Sequence, residues 1–380
     1  VAKPIYLDYA AATPVDPAVL KAMQPFWRDD FYNPSATYLA AQKVGKDLQA
    51  ARARVAACLG ARPTEIIFTA GGTESVNLAI NGVMQKYSKA KMLVSAIEHD
   101  AVLKTAIQFN HAVVPVTGKG VVDVAELVKM VDDQTVLVSV MYVNNEIGTI
   151  QPLRQIGQAL ATIRRERLAK GNKLPLYFHS DASQAPNYLD VHVNSLGVDL
   201  LTLNGGKIYG PKQSGLLFVK AGIELAPQVL GGGQENGLRS GTENVAFAVG
   251  LATALELVQK QRPTEVKRLQ SLQQDFVRGL QKAVTNVQIT AEKAPKLPNN
   301  VHITIPGVDN ERLIMQLDEA GIMAAAGSAC SASNDEPSHV LRAIGISEKE
   351  AQSSVRFTMG QGTTAADIKL TISTVASLVK

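Results

Sequence analysis

The chain has 380 residues, of which 46% are hydrophobic and 19% charged, with a net charge of +4 and two cysteines. That length exceeds what one core usually covers, so two domains are expected. Basic residues are scattered rather than striped, no apolar run approaches the ~18 residues of a membrane span, and two cysteines build no disulfide framework, which speaks against nucleic-acid, membrane-spanning and disulfide-stapled classes. The opening VAKPIYLDYA has no apolar stretch of the signal-peptide kind, so the cytoplasm is the expected compartment.

Residues 1–14 hold a short strand-like run and then small residues before Pro14. DPAVLKAMQPFW predicts a short helix with Asp16 as N-cap and Pro17 at its first position. From Ser35 a longer helix follows, with Leu39, Val44, Leu48, Val55 and Leu59 drifting round one face. Cys58 lies on that face and reads as a small core residue. EIIFTAGGTESVNLAING is a strand, a small-residue turn and a helix. Its turn, Ala70-Gly71-Gly72-Thr73, would offer bare N–H groups and a hydroxyl to a phosphate; a plain turn with Thr73 as N-cap fits equally well. His99 follows another strand, in a polar gap before a helix. VLVSVMYVNNEIG predicts an unbroken apolar strand that ends in Asn144-Asn145-Glu146. Pro152 opens a helix to about Ala169.

Strands are next expected at Leu174–Phe178 and Leu200–Leu203, each a brief apolar run closed by polar residues. Asp181 and Lys207 then fall just past two strand ends, where open α/β sheets bind ligands. An acid and an amine there suit pyridoxal phosphate (PLP): the amine condenses with its aldehyde and the acid keeps its ring nitrogen protonated. An Asx-turn beside an ordinary surface lysine is the plainer alternative. GLLFVK, 215–220, should pair antiparallel because it follows so closely. GGGQENGLRSGTENVAFAVG reads as a glycine-rich loop and a helix with Thr242 near its N-cap.

A separate helix is expected in 262–298, bounded by QRPTE and EKAPKLPNN and marking a change of domain. After it come a strand (Val301–Ile305), a helix (Asn310–Glu319), the small-residue loop MAAAGSACSASNDEP, a helix at Ser338–Ala343, the strand SSVRFTMG and a last helix from Thr364. Alternating strands and helices through residue 205 predict an α/β fold with a mainly parallel sheet. The large domain is placed at 15–260; a small α+β domain takes 1–14 and 261–380 and carries the cysteine loop. Cys330, in a loop of Ala, Gly and Ser with no apolar periodicity, is a candidate nucleophile. Arg356 interrupts an apolar strand, and its fork would suit a substrate carboxylate or an internal ion pair.

Taken in order, YLDYAAATP, FTAGGTESVNLAI, EHDAV, VNNEIG, DASQ, KIYGPK, GGGQENGLRSGTENV, GSACSAS, EPSHVLRAIG and SSVRFTMG resemble the cysteine desulfurases of the iron–sulfur-cluster assembly and nitrogen-fixation type, within the class V aminotransferase superfamily. The resemblance covers nearly the whole chain and implies an aspartate-aminotransferase-like, fold type I PLP enzyme. It implies that Lys207 carries PLP, Asp181 pairs with the ring nitrogen, Gln184 bonds the ring hydroxyl and His99 stacks on the ring. Gly72 and Thr73, with positions 204 and 206, would hold the phosphate, and Thr242 would reach that of a second subunit in a homodimer. Arg356, Asn33 and Asn145 would hold the carboxylate of L-cysteine. Cys330 would take its sulfur as a persulfide, leaving L-alanine, and pass the sulfur to an acceptor protein such as an iron–sulfur scaffold. Two positions depart from the family pattern: Asn204 and Gly206 stand where Ser and His are usual, so a weaker hold on PLP is expected. Ala325-Ala326 replaces a common Ser pair. Related alternatives are a lyase acting on selenocysteine or another cysteine derivative, and a weakened paralogue serving as a sulfur-transfer scaffold.

Overall fold

The computed structural model describes residues 4–326 and 338–380; Cys330 lies outside them. Seven strands form the main sheet, in the spatial order Ile66–Thr69, Gly215–Val219, Leu200–Asn204, Tyr177–Asp181, Thr135–Ser139, Lys91–Ser95 and His111–Val114. Gly215–Val219 runs antiparallel to both neighbours, as its short connection requires, and every other pairing among these strands except those two is parallel. Side chains alternate between faces with the strand period of two. Ile66, Leu93, Val138 and Phe218 join the larger core, while Ile67, Met92, Leu137 and Leu217 pack with the helix Gly72–Lys86 on the other side. Burial on both faces explains why these strands read as continuous apolar runs.

The C-terminal part holds a three-stranded antiparallel sheet, with Asn300–Thr304 between Ser354–Thr358 and Gln288–Ile289. Ile5–Tyr6 pairs parallel with Ile322–Met323, so the first described residues pack with the last third of the chain. The helices Asn310–Glu319 and Ala365–Leu378 occur as expected, the second with Thr364 as N-cap. Asp16 caps the helix Pro17–Met23, its side chain accepting from Ala18 N at 2.7 Å.

Several local expectations are corrected. A single helix runs Val245–Ala283, straight through Pro263, where two helices were expected. An interior proline costs about 3 kcal/mol, but Leu255, Val258, Leu269, Leu272, Phe276 and Leu280 continue one buried stripe across it. The N-cap of that helix is Asn244, whose Oδ1 accepts from Phe247 N at 3.1 Å, and Thr242 lies two residues before it, near the cap as expected. Gly71, at φ 133°, precedes the helix at Gly72, so Thr73 sits inside the first turn and is not the cap. The central strand stops at Ser139, short of the expected end, and farther on the Asn144 side chain closes a turn, accepting from Glu146 N and Ile147 N, both at 2.9 Å. Leu39 opens the helix Leu39–Leu59 but is exposed, while Val44, Leu48, Val55 and Leu59 are buried. Cys58 is half-buried against the core, and burial pushes its thiol up to about 11. Among the described residues no helix is long and apolar enough to cross a membrane.

Candidate active site

Five strands of the main sheet deliver their carboxyl ends to one edge. Ile66–Thr69 leads to Gly72 and Thr73, Lys91–Ser95 to His99, and Thr135–Ser139 to Asn145; Asp181 ends its own strand, and Lys207 stands three residues past Leu200–Asn204. One cleft collects Gly72, Thr73, His99, Asn145, Asp181, Gln184, Asn204, Lys207 and Arg356, the last reaching in from the strand Ser354–Thr358. Residues spread over nearly three hundred positions thus converge because parallel strands point their ends the same way. Gly206 adjoins Lys207 in the short turn Gly205–Lys207. Asn33 and Thr242 are exposed and do not line the cleft of their own chain, and the Asn33 side chain accepts from Ser35 N at 2.9 Å.

Lys207 Nζ donates to the carbonyls of Ala10 at 2.9 Å and Ala11 at 2.5 Å. Gln184 Nε2 donates to the same Ala10 oxygen at 3.0 Å, so the small-residue segment after the first strand holds both side chains. Asn187 Nδ2 fixes the Lys207 carbonyl at 2.8 Å. The Asp181 carboxylate accepts from Ser183 N at 2.9 Å. His179, two residues earlier on the same strand, is wholly buried between Ser139 and Thr202, and burial pulls its imidazole down to about 4. It is therefore neutral and leaves Asp181 without a competing cation beneath it. His99 caps the helix Asp100–Ala106, its Nδ1 accepting from Ala101 N at 3.1 Å. That bond places the proton of the neutral ring on Nε2.

Arg356 is ion-paired with Asp8: Nη2 donates to Asp8 Oδ1 at 2.7 Å, and Nη1 to Asn145 O at 3.0 Å. The internal partner expected as an alternative is present, and the guanidinium still faces the cleft. Glu98 and Glu146 also line the cleft, both fully buried. Glu98 Oε1 accepts from Ser95 Oγ at 2.5 Å and Met141 N at 2.7 Å, and burial pushes its carboxyl up to about 8.

The residues fit PLP. A Cβ built on Gly72 would lie 3.1 Å from Ser183 Oγ and 3.4 Å from Asn204 Nδ2, so the glycine leaves a small space between a hydroxyl, an amide and a helix N-terminus. Such a space with N–H groups pointing into it suits a phosphate. Ser183 and Asn204 would stand beside it, with Thr73, while Lys207 and Asp181 would take the aldehyde and ring-nitrogen ends. Ser183 was not singled out from the sequence; its only signal is its place two residues after Asp181. Nor were Glu98 and Asp8.

Gly206 has ordinary backbone geometry, and a Cβ there would meet Asn204 Oδ1 and Lys212 Cγ at 3.5 Å, which is normal contact. A larger side chain is therefore sterically accepted. One hydrogen bond to a charged phosphate is worth about 1.5–3 kcal/mol, so Gly206→His is expected to slow PLP loss on dialysis about tenfold. Ser183→Ala should speed it. Equal loss from the parent and Gly206→His would mean that the seat is already complete.

The aminotransferase class-V family model matches residues 5–370. A cysteine desulfurase IscS from Dictyoglomus turgidum is 39% identical over 383 residues, covering 99% of this chain and 94% of the relative. A solved NifS-like protein superposes with a TM-score of 0.89 at 31% identity, covering 99% of both chains. The structure of SspA in complex with cysteine matches at a TM-score of 0.81 and 34% identity, covering 93% of this chain and 98% of the other. With a family model matched over nearly the whole chain and relatives above 30% identity covered almost end to end, the chain belongs to the aminotransferase class-V family, among the relatives of the cysteine desulfurases.

Proposed function

We propose that the protein is a PLP-dependent cysteine desulfurase, converting L-cysteine to L-alanine with transfer of sulfur to Cys330. The observation that carries this reading is the convergence of Lys207, Asp181, His99 and Arg356 on one cleft beside the helix N-terminus at Gly72. The likeness to proteins named cysteine desulfurase, and to one solved with cysteine, supports the substrate.

Bound there, PLP supplies an aldehyde for the substrate amine and a ring that stores electrons. Arg356 receives the substrate carboxylate and, with Asn145, orients the amino acid. Lys207 Nζ takes the α-proton once its amine is released, acting as general base. Asp181 would pair with the ring nitrogen and favour its protonated form. His99 holds a proton on Nε2, where it can return it. The Cys330 thiolate attacks the substrate sulfur: an S–S bond forms, the substrate C–S bond breaks, and the carbon takes up a proton to give alanine. The persulfide is then delivered to an acceptor protein, such as an iron–sulfur scaffold, in the cytoplasm.

A homodimer completes the reading, with Thr242 reaching the partner's phosphate site. Phe31, Tyr32 and Tyr38 touch ring to ring at 4.5 and 5.9 Å with Phe31 and Tyr38 exposed, and such an aromatic patch on the surface supports a second copy. The test of the cofactor assignment is borohydride reduction of the purified protein followed by peptide mapping. The pyridoxyl group is expected on Lys207; finding it on Lys212 or Lys220 would overturn the site.

A further inference from the structure

Glu146 has no ordinary reason to be where it is. Its side chain is wholly buried, and Oε2 accepts one hydrogen bond, from Ser338 Oγ at 2.8 Å. Among the described residues Oε1 has no hydrogen-bond partner and faces His302 Nε2 at 3.9 Å, a buried atom that has none among them either. The other ring nitrogen of His302 bonds Thr290 Oγ1 at 2.8 Å. His302 and Arg356 are cross-strand partners, so imidazole and guanidinium sit side by side on adjacent strands.

Among the described residues, the charges around Glu146 can be counted by element. Its own loop brings Asn144 and Asn145, which do not titrate, and Tyr142, whose phenol burial pushes up to about 12. The strand Asn300–Thr304 brings His302, and Lys296, just before that strand, bonds Thr290 O at 2.8 Å behind it. The strand Ser354–Thr358 brings Arg356, already matched by Asp8 at 2.7 Å. From the remaining side come Ser338, His339 on the Glu98 carbonyl at 2.9 Å, and the buried Glu98. Burial and the cations Lys296 and Arg356 pull His302 down to about 3, so it supplies no positive charge. Arg356, the cation whose charge acts on Glu146, would thus face Asp8, an ionised Glu146 and the incoming substrate carboxylate. Three anions about one buried guanidinium are not a stable arrangement.

We propose that Glu146 is a proton-carrying positioning residue of the substrate-carboxylate subsite: it stands beside Arg356 as the neutral acid, and a carboxylate arriving on Arg356 holds the proton on it, so that substrate binding and proton uptake are coupled. The orphaned Oε1, 3.9 Å from His302 Nε2, is where that proton would reside. The fate of the Glu146 carboxyl agrees, burial pushing it up to about 7 against the opposing effects of Ser338 and Arg356. Above that pH the free protein must reprotonate Glu146 before the carboxylate is accepted, and affinity falls. Below it no proton is needed. Reciprocity requires that the carboxylate raise the proton affinity of Glu146 as much as the proton raises that for the carboxylate. The inference rests on the assignment of Arg356 to the substrate carboxylate.

The probe is L-alanine, the product, which has the carboxylate but no thiol to titrate. Its dissociation constant on the PLP-loaded protein is measured from the cofactor absorbance at about pH 6.5 and about pH 8.5, for the parent and Glu146→Gln. Calorimetry in two buffers of different ionisation enthalpy counts protons taken up. The parent is expected to weaken between the two pH values about tenfold more than Glu146→Gln, which cannot ionise, and to take up more protons at the higher pH. Ser338→Ala removes the bond that stabilises the Glu146 anion, so it should move the loss of affinity to higher pH; this variant tests the idea even if Glu146→Gln fails to fold. Equal pH dependence and proton uptake in the parent and Glu146→Gln, or an unmoved profile in Ser338→Ala, would overturn it. Much weaker binding by Glu146→Gln at both pH values would mean that Glu146 acts as an anion, and would overturn it too. A parent that binds no L-alanine at either pH would instead remove the reading of the cleft as an amino-acid site, and the inference with it.

Discussion

Lys207→Ala is expected to lower L-cysteine turnover by about a thousandfold or more. Lys207 is asked to do two things, to anchor the cofactor and to move the α-proton, and general base catalysis alone contributes about 10²–10⁴. Its Nζ is held by the Ala10 and Ala11 carbonyls, so the amine is steered by backbone that no other lysine of the turn contacts in this way. The variant should fold, because Gly205, Gly206 and the Asn187 bond to the residue 207 carbonyl involve backbone rather than the lysine side chain. The measurement is steady-state alanine release with excess PLP supplied, alongside thermal unfolding. Loss of activity with an unchanged unfolding transition supports the assignment. Turnover within about tenfold of the parent would contradict it, since no proton shuttle would then have been removed.

Cys330→Ser should lose sulfur transfer to a similar degree while keeping the response of the cofactor to L-cysteine. The hydroxyl is a poor nucleophile towards sulfur, whereas amine exchange and loss of the α-proton do not need the thiol. Mixing the variant with L-cysteine is therefore expected to change the cofactor absorbance and release no sulfide in the presence of a reductant. The contrast with the other cysteine sharpens this. Cys58 is half-buried and its thiol is pushed up to about 11, so it is not a thiolate near neutral pH. Cys58→Ser should leave turnover unchanged. A Cys330→Ser enzyme that turns over cysteine at the parent rate would make the protein a lyase of another kind.

What the sequence could reveal followed from how local each signal was. Asp181, Lys207 and His99 sit where apolar strands give way to small or polar residues, and a parallel sheet then aligns those strand ends whatever their distance along the chain. That part of the site was legible. The partner of Arg356 was not: Asp8 is 348 residues away, and its pairing depends on the first strand folding back on the last third of the chain. Ser183 and Glu98 were hidden for a different reason, since a short hydroxyl and an acid beside a turn look like ordinary turn residues. Pro263 misled because a proline is a strong local stop signal, while the apolar stripe that carries the helix Val245–Ala283 across it is spread over many turns. The strand expected to run to Asn144 stops at Ser139, and the turn that Asn144 closes through side-chain bonds to nearby backbone is not something apolar periodicity registers.

The most direct test of the desulfurase assignment is a single turnover of PLP-loaded protein with L-cysteine, without oxygen or reductant, followed by product and peptide analysis. L-alanine and protein-bound persulfide are expected in equal amounts, with the persulfide on the peptide containing Cys330. Pyruvate and ammonia with free sulfide, and no persulfide on the protein, would contradict it.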